Sequence, residues 1–293
     1  MNWEKAKTLT IIFLLLINVF LAALVYNAGR RYTMSAAQEL AIQQYMSRNG
    51  VSLYTTIPSS FRPMQVLRMQ PSVYSVTDLT IVFFGSTDHV LPIPHFLGGQ
   101  AFGRGTKRLE IKGSRFTYEN AAPNDEFVLT RENAIEICEK FVSKHEKVLG
   151  RHVLDRHMIR EIRDGFSITF NGKFRDWLVT SNTLIFHVTE GGIAKVFGEY
   201  NAPMALSGDA REIIRPEEAL YLFVKHMNYI LYDDQKVIVT GMDIVYHLID
   251  PVTTDSSIPL NATPCYRFWV RLHSGEAQVM INAYTGGVLG GFF

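Results

Sequence analysis

From Thr8 to Gly29 the chain carries no charged residue, and this run constrains the fold more than any other feature. Leu9 to Ile17 and Val19 to Val25 are apolar throughout apart from Thr10, with Asn18 between them. At about 1.5 Å per residue, roughly 22 helical residues reach ~33 Å, enough to cross a hydrocarbon core of ~30 Å. Trp3, Lys5 and Lys7 on one side and Tyr26, Arg30 and Arg31 on the other suit the two membrane interfaces, where amphipathic rings and snorkelling cations collect. A cleaved signal peptide competes for the same segment, but the apolar run is too long and no small-x-small site closes it. The paired charges, Lys5 and Lys7 against Arg30 and Arg31, leave the orientation tied.

Beyond the span, the chain is long enough for one large or several small domains with real cores. It has 29 basic against 28 acidic residues, interspersed, so it lacks the basic footprint of a nucleic-acid binder. Cys138 and Cys265 are too few for a disulfide framework and match no metal spacing. They read as two buried thiols, with a single bridge as the alternative.

The pattern predicts an α+β fold: an N-terminal transmembrane helix, then repeated units of a helix packed on an antiparallel, hairpin-rich sheet. Ser35 with Gln38 forms a capping-box signature for a helix over Ala36 to Asn49. Val66 to Met69, Leu79 to Phe84, Lys107 to Ile111 and Arg115 to Tyr118 read as strands. Thr130 caps a helix with Ala134, Ile137, Cys138, Phe141 and Val142 on one face, and four strands follow between Ile159 and Tyr200. Pro216 opens a third helix carrying Ala219, Leu220, Phe223, Val224, Met227 and Leu231, and further strands end near Ala283.

The second and third blocks match at an offset of about 83 to 85 residues, Arg131-Glu132-Asn133-Ala134 over Pro216-Glu217-Glu218-Ala219 and Gly191-Gly192 over Ser274-Gly275. The expected organisation is a tail (1–7), a transmembrane helix (8–29) and three α+β units (30–126, 127–209 and 210–293), the last two forming a repeat.

No catalytic residue, cofactor site or metal site is assigned. His145-Glu146 opens like a zinc-protease helix, but Leu149 stands where the second His belongs. His152, Asp155 and His157 read as surface residues. The glycines from Gly98 to Gly105 lack the Lys and Ser or Thr of a phosphate loop and read as a flexible or ligand-contacting loop. Cys265 has no neighbour that would activate it as a nucleophile.

The positive signal lies in the span. Asn18, Ala22, Val25 and Gly29 share one helical face, where small residues permit close approach and an amide reaches a partner helix; a single tolerated amide is the plain alternative. The short tail before the span leaves helix contacts as the route for any signal across the bilayer, the pattern of an accessory subunit.

The opening Trp3-Glu4-Lys5-Ala6-Lys7-Thr8 ahead of the span resembles the start of the YycI (WalI) family. Pro264-Cys265-Tyr266-Arg267-Phe268 with Ile281-Asn282-Ala283-Tyr284-Thr285-Gly286-Gly287 is similar to that family's closing hairpin. The resemblance is specific at the two ends; Pro58 to Asn124 is unmatched. It implies a cytoplasmic N-terminus, an extracytoplasmic C-terminal region in the cell membrane, and association with a YycH-like protein and a sensor histidine kinase of the YycG (WalK) type that governs cell-wall metabolism. The closing hairpin also resembles PepSY-like domains, which gives the alternative: an extracytoplasmic module binding a peptidase or a peptide.

Overall fold

The computed structural model describes residues 3–94, 98–124, 128–230, 236–249, 259–273 and 275–292. Helix α1 (Trp3–Arg30) runs through the whole uncharged segment. Its Trp3–Tyr26 stretch is long and apolar enough to cross a membrane, and the apolar window within that stretch is not buried against the rest of the chain. The chain then folds as α2 (Ala36–Arg48), β1 (Val51–Leu53), β2 (Met64–Pro71), α3 (Val76–Phe84) and the strands β3 (Leu91–Ile93), β4 (Gln100–Arg104), β5 (Lys107–Lys112) and β6 (Arg115–Asn120). Next come α4 (Arg131–Lys144), α5 (Glu146–Leu149), β7 (His152–Ile162), β8 (Gly165–Phe174), β9 (Trp177–Thr189), β10 (Gly192–Glu199) and β11 (Asn201–Arg211). The last block is α6 (Pro216–Ile230), β12 (Val237–Leu248), β13 (Leu260–Leu272), β14 (Gly275–Asn282) and β15 (Val288–Phe292).

The helix starts follow local chemistry. The Ser35 hydroxyl accepts from the Gln38 backbone N–H at 3.3 Å while Gln38 Oε1 accepts from the Ser35 N–H at 2.9 Å, a complete capping box. Thr130 accepts from the Asn133 N–H at 3.2 Å and starts α4. The segment Leu79 to Phe84, expected as a strand from its β-branched and aromatic residues, is helical instead. Ser75 caps it through the Asp78 N–H, and Gly85, at φ 81°, ends it in the left-handed region. Leu79, Val82 and Phe83 turn into the core at helical spacing and leave Ile81 outside. The glycine-rich stretch ending at Gly105 is likewise no loop: Gln100–Arg104 pairs with Lys107–Lys112 as a hairpin, with Gly105 at φ 61° in its turn. Leu231, Ser274 and the expected boundary at 126/127 lie outside the described residues.

Fifteen described strands join one hydrogen-bonded network. One part is β15-β14-β13-β12, with β1 parallel to the start of β12 and β2 and β11 continuing from the start of β13. The other is β7-β8-β9-β10-β6-β5-β4-β3. They join where Tyr246 of β12 pairs in parallel with Val179 of β9.

Each part is covered by helices on one face and holds its own apolar core, the layer solution for a helix and a sheet that each have one apolar side. Under α2 and α6, Met46, Phe223, Val224 and Met227 pack on Tyr266, Phe268, Val270 and Ile281, and Phe223 stacks on Phe268 with centroids 4.8 Å apart. Under α3 and α4, Leu79, Phe83, Cys138 and Val142 pack on Phe116, Ile168, Leu184, Phe186 and Val196. Segment 30–126 supplies both cores, Ile42 to Met69 the first and Tyr74 to Tyr118 the second. In chain order α4 precedes the β9–β10 hairpin and α6 precedes the β13–β14 hairpin, with β7 and β8 between α4 and the first hairpin and β12 between α6 and the second.

Candidate functional site

Strand alternation on β13 sends Tyr266, Phe268 and Val270 to the α6 face, and Arg267, Trp269 and Arg271 to the other. Arg267 therefore needs a charged partner on the side away from the core, because an unpaired buried cation is prohibitively costly. It has two. Opposite it in register, Asp243 of β12 accepts from Nε at 3.0 Å and from Nη2 at 2.8 Å. From the other part of the sheet, Asp155 of β7 accepts from Nη1 at 2.7 Å.

Asp155 reaches this point because the pairing of β7 with β8 is interrupted between Leu154 and Ile159. Its carboxylate also accepts from Asn171 Nδ2 at 2.7 Å and from the His157 backbone N–H at 3.1 Å. The Arg267 guanidinium lies 3.9 Å from the Trp269 ring centre, and His157 stacks on the same indole at 4.2 Å. Burial pushes the Asp243 carboxyl up, and the Arg267 hydrogen bonds oppose that rise. Gly241, opposite Trp269, leaves room for the stack: a Cβ there would meet Trp269 Cε3 at 2.5 Å. One guanidinium thus clasps carboxylates from both helix-covered halves.

The sequence reading missed this clasp, treating Asp155 and His152 as surface residues. Asp155 is 5% exposed and His152 8%. The available signal was Arg267 itself, a charge inside the apolar run Tyr266 to Val270 that demands a distant acid.

Beside the clasp opens a cleft of about 520 Å³ between β7 and the β13–β14 hairpin. Arg131 at the start of α4, Arg156 and Arg160 of β7, and Arg271 of β13 line it, with Glu161, Glu276 and Trp269. Arg271 pairs with the Glu276 carboxylate at 3.1 Å, and Arg160 donates to the Glu276 carbonyl at 3.3 Å. Arg131 and Arg156 are exposed and have no ion-pair or hydrogen-bond partner among the described residues. The buried Trp269 indole N–H also has no acceptor among the described residues.

The membrane-helix residues named from the sequence all lie on α1. Its continuity puts Asn18, Ala22, Val25 and Gly29 along one face. Asn18 Nδ2 donates to the Leu14 carbonyl at 2.9 Å, leaving the amide oxygen and a second N–H for another chain. A Cβ built on Gly29 would meet nothing within 4 Å, so no contact within the chain demands the glycine. Among the interface residues, Trp3, Lys5, Lys7, Tyr26 and Arg31 are exposed, and the Lys7 ammonium lies 5.1 Å from the Trp3 ring centre.

The helix is fastened where it meets the body. Phe61 N–H donates to the Tyr32 carbonyl and Met34 N–H to the Ser59 carbonyl, each at 3.1 Å, around a Thr33–Ser60 bridge. The Tyr32 ring meets Phe61 edge to face at 6.2 Å, and both pack on the first core.

Both cysteines are free and buried. Burial pushes the Cys138 thiol far up and Cys265 up to about 12, so neither has thiolate character at neutral pH. Among the described residues no group of three or more His, Cys, Asp or Glu is arranged to hold a metal ion.

Fold and site together define a class: an α+β protein whose one strand network forms two helix-covered parts clasped by a buried arginine, led by one apolar helix. No family model matches the chain, and no curated protein does. Among solved structures it is similar to an uncharacterized protein from Eubacterium rectale ATCC 33656, at 10% identity and a TM-score of 0.54, covering 81% of this chain and 89% of that one. That likeness shows a shared fold. The Bacillus megaterium YpeB C-terminal domain aligns at 11% identity and a TM-score of 0.42, over 75% of this chain and 98% of that one.

Proposed function

We propose that this chain is a non-catalytic accessory protein, anchored by α1 in the cell membrane with its C-terminal region outside. In this reading it regulates a sensor histidine kinase of a cell-wall-controlling two-component system together with a YycH-like partner. The observation that carries the reading is the fastened junction at Tyr32 to Met34, since a helix tied to its body by backbone hydrogen bonds transmits a shift that a loose linker would absorb. The face of Asn18, Ala22, Val25 and Gly29 is the contact to the kinase helix, and by binding one kinase state better than the other it biases their equilibrium. The resemblance of the two chain ends to the YycI family names the partner.

Replacing Asn18 and Gly29 together by Leu is expected to lower co-purification with the kinase at least fivefold and to change its autophosphorylation, with the body's thermal unfolding unaltered. Unchanged co-purification and output overturn the helix-contact mechanism. The arginine-lined cleft favours the second reading, a PepSY-like module that binds a peptide or a peptidase segment.

A further inference from the structure

We propose that the cleft between β7 and the β13–β14 hairpin binds an acidic peptide segment in extended form. The inference rests on reading the cleft as a binding surface and does not need the kinase assignment.

Three independent observations meet there. The first is charge. Four arginines face two glutamates, and one glutamate is already engaged by Arg271. Arg131 and Arg156 are left with guanidinium forks that no described group occupies, and such forks match carboxylates in geometry and sign. The second is the Trp269 indole N–H. Trp269 is 7% exposed and lines the cleft, yet this donor has no acceptor among the described residues. Buried donors are almost always paired, so an unpaired one beside an open cleft marks the position of a missing acceptor oxygen.

The third observation decides between a small anion and a chain. Among the described strands β7 pairs with β8 alone, so its other edge, along Ile159 to Ile162, carries backbone N–H and C=O groups without a described strand partner. An extended peptide laid on that edge gains main-chain hydrogen bonds, while alternate side chains point toward the arginines. A cleft of about 520 Å³ also holds several residues of such a segment, far more than one oxyanion fills.

The test uses the full chain in detergent micelles. The probe is a fluorescein-labelled decapeptide of alternating Glu and Val, and the reference is its Lys and Val counterpart; binding is read by anisotropy at low salt. The acidic peptide is expected to bind at least tenfold more tightly than the basic one. Arg131→Gln with Arg156→Gln is expected to weaken it at least tenfold, while Arg48→Gln, remote from the cleft, leaves it unchanged. Circular dichroism confirms that each variant is folded.

Amide hydrogen exchange supplies the independent reading. Bound peptide is expected to slow exchange at alternate residues from Ile159 to Ile162. Equal binding by wild type and the double variant overturns the proposal. So does displacement of the peptide by equimolar pyrophosphate without protection of β7, which would make the cleft a phosphate site. Failure of the wild-type chain to co-purify a kinase, with peptide binding intact, would fail the kinase reading alone.

Discussion

The two faces of strand β13 obey different physics. Tyr266, Phe268 and Val270 lie against α6 in a core that is apolar and close-packed, where stability grows with the surface removed from water. Arg267 and Trp269, one residue out of phase, face a seam built from Asp155, Asp243, Asn171 and His157, where each contact is directional and each partner specific. The helix-covered cores hold each half together, and the seam sets how the halves meet. A buried ion pair adds little net stability over a well-packed apolar replacement, because desolvation opposes the attraction, but removal of one partner strands the other.

The sharpest way to break this contrast is at Arg267. Arg267→Met leaves Asp155 and Asp243 facing each other without a cation, and is expected to lower stability by about 3–5 kcal/mol in urea titration of the full chain. Adding Asp155→Leu and Asp243→Leu is expected to restore most of that loss. Phe268→Ala, on the other face, is expected to lose a similar amount, about 3–5 kcal/mol, with no second-site replacement in the seam restoring it. A triple variant as unstable as Arg267→Met refutes the assigned difference between the faces.

A smaller effect, in the half that holds β7, reads out by pH. His152 is buried, its Nδ1 lies 3.0 Å from the Gly150 carbonyl and its Nε2 has no partner, so burial pushes its pKa down to about 4. The fold holds the neutral ring, whereas the unfolded chain takes up a proton near pH 6.5. Stability is therefore complete above about pH 6.5 and falls as the pH drops toward about 4, by up to about 3 kcal/mol. Unfolding midpoints measured across that window are expected to decline, with most of the slope removed in His152→Gln. An unchanged slope in that variant assigns the decline to other groups.

The smallest expected effect is at Gly241, where Ala would press on Trp269 Cε3 and on His157 Cε1, the latter at 3.0 Å. A loss of about 1–3 kcal/mol in the same titration, with the near-ultraviolet signal of Trp269 altered, is the expected result. An Ala variant with native stability and spectrum shows that the stack yields freely.

Much of the fold was legible because its signals are local. Ser35 with Gln38, Thr130 and Pro216 each announce a helix start, and the structure has helices beginning at Ala36, Arg131 and Pro216. The hairpin at Gly113 and the strand pair ending near Asn282 follow from turn residues and alternation. Leu79 to Phe84 misled because composition favours a strand, while Ser75 and Gly85, the residues that cap a helix, lie just outside the run. The clasp was hidden for a different reason. Asp155 and Arg267 are 112 residues apart, and nothing near Asp155 in sequence signals that a strand interruption turns it inward. Asn18 and Gly29 were legible as a shared face because a helix fixes that relation without tertiary information.

The fastening of α1 has a consequence for encounter rates. Only Arg31 to Ser35 separates α1 from α2, and Tyr32, Thr33 and Met34 are held against Ser59 to Phe61. With α1 in a bilayer, the body neither drifts away from the lipid surface nor tumbles freely above it. A partner anchored in the same bilayer then searches a thin layer rather than a volume, and once the helices touch, the effective concentration of one body for the other reaches the millimolar range typical of short tethers. Weak surfaces suffice under those conditions, so a contact too feeble to survive between the detached bodies in solution can still govern the assembled pair.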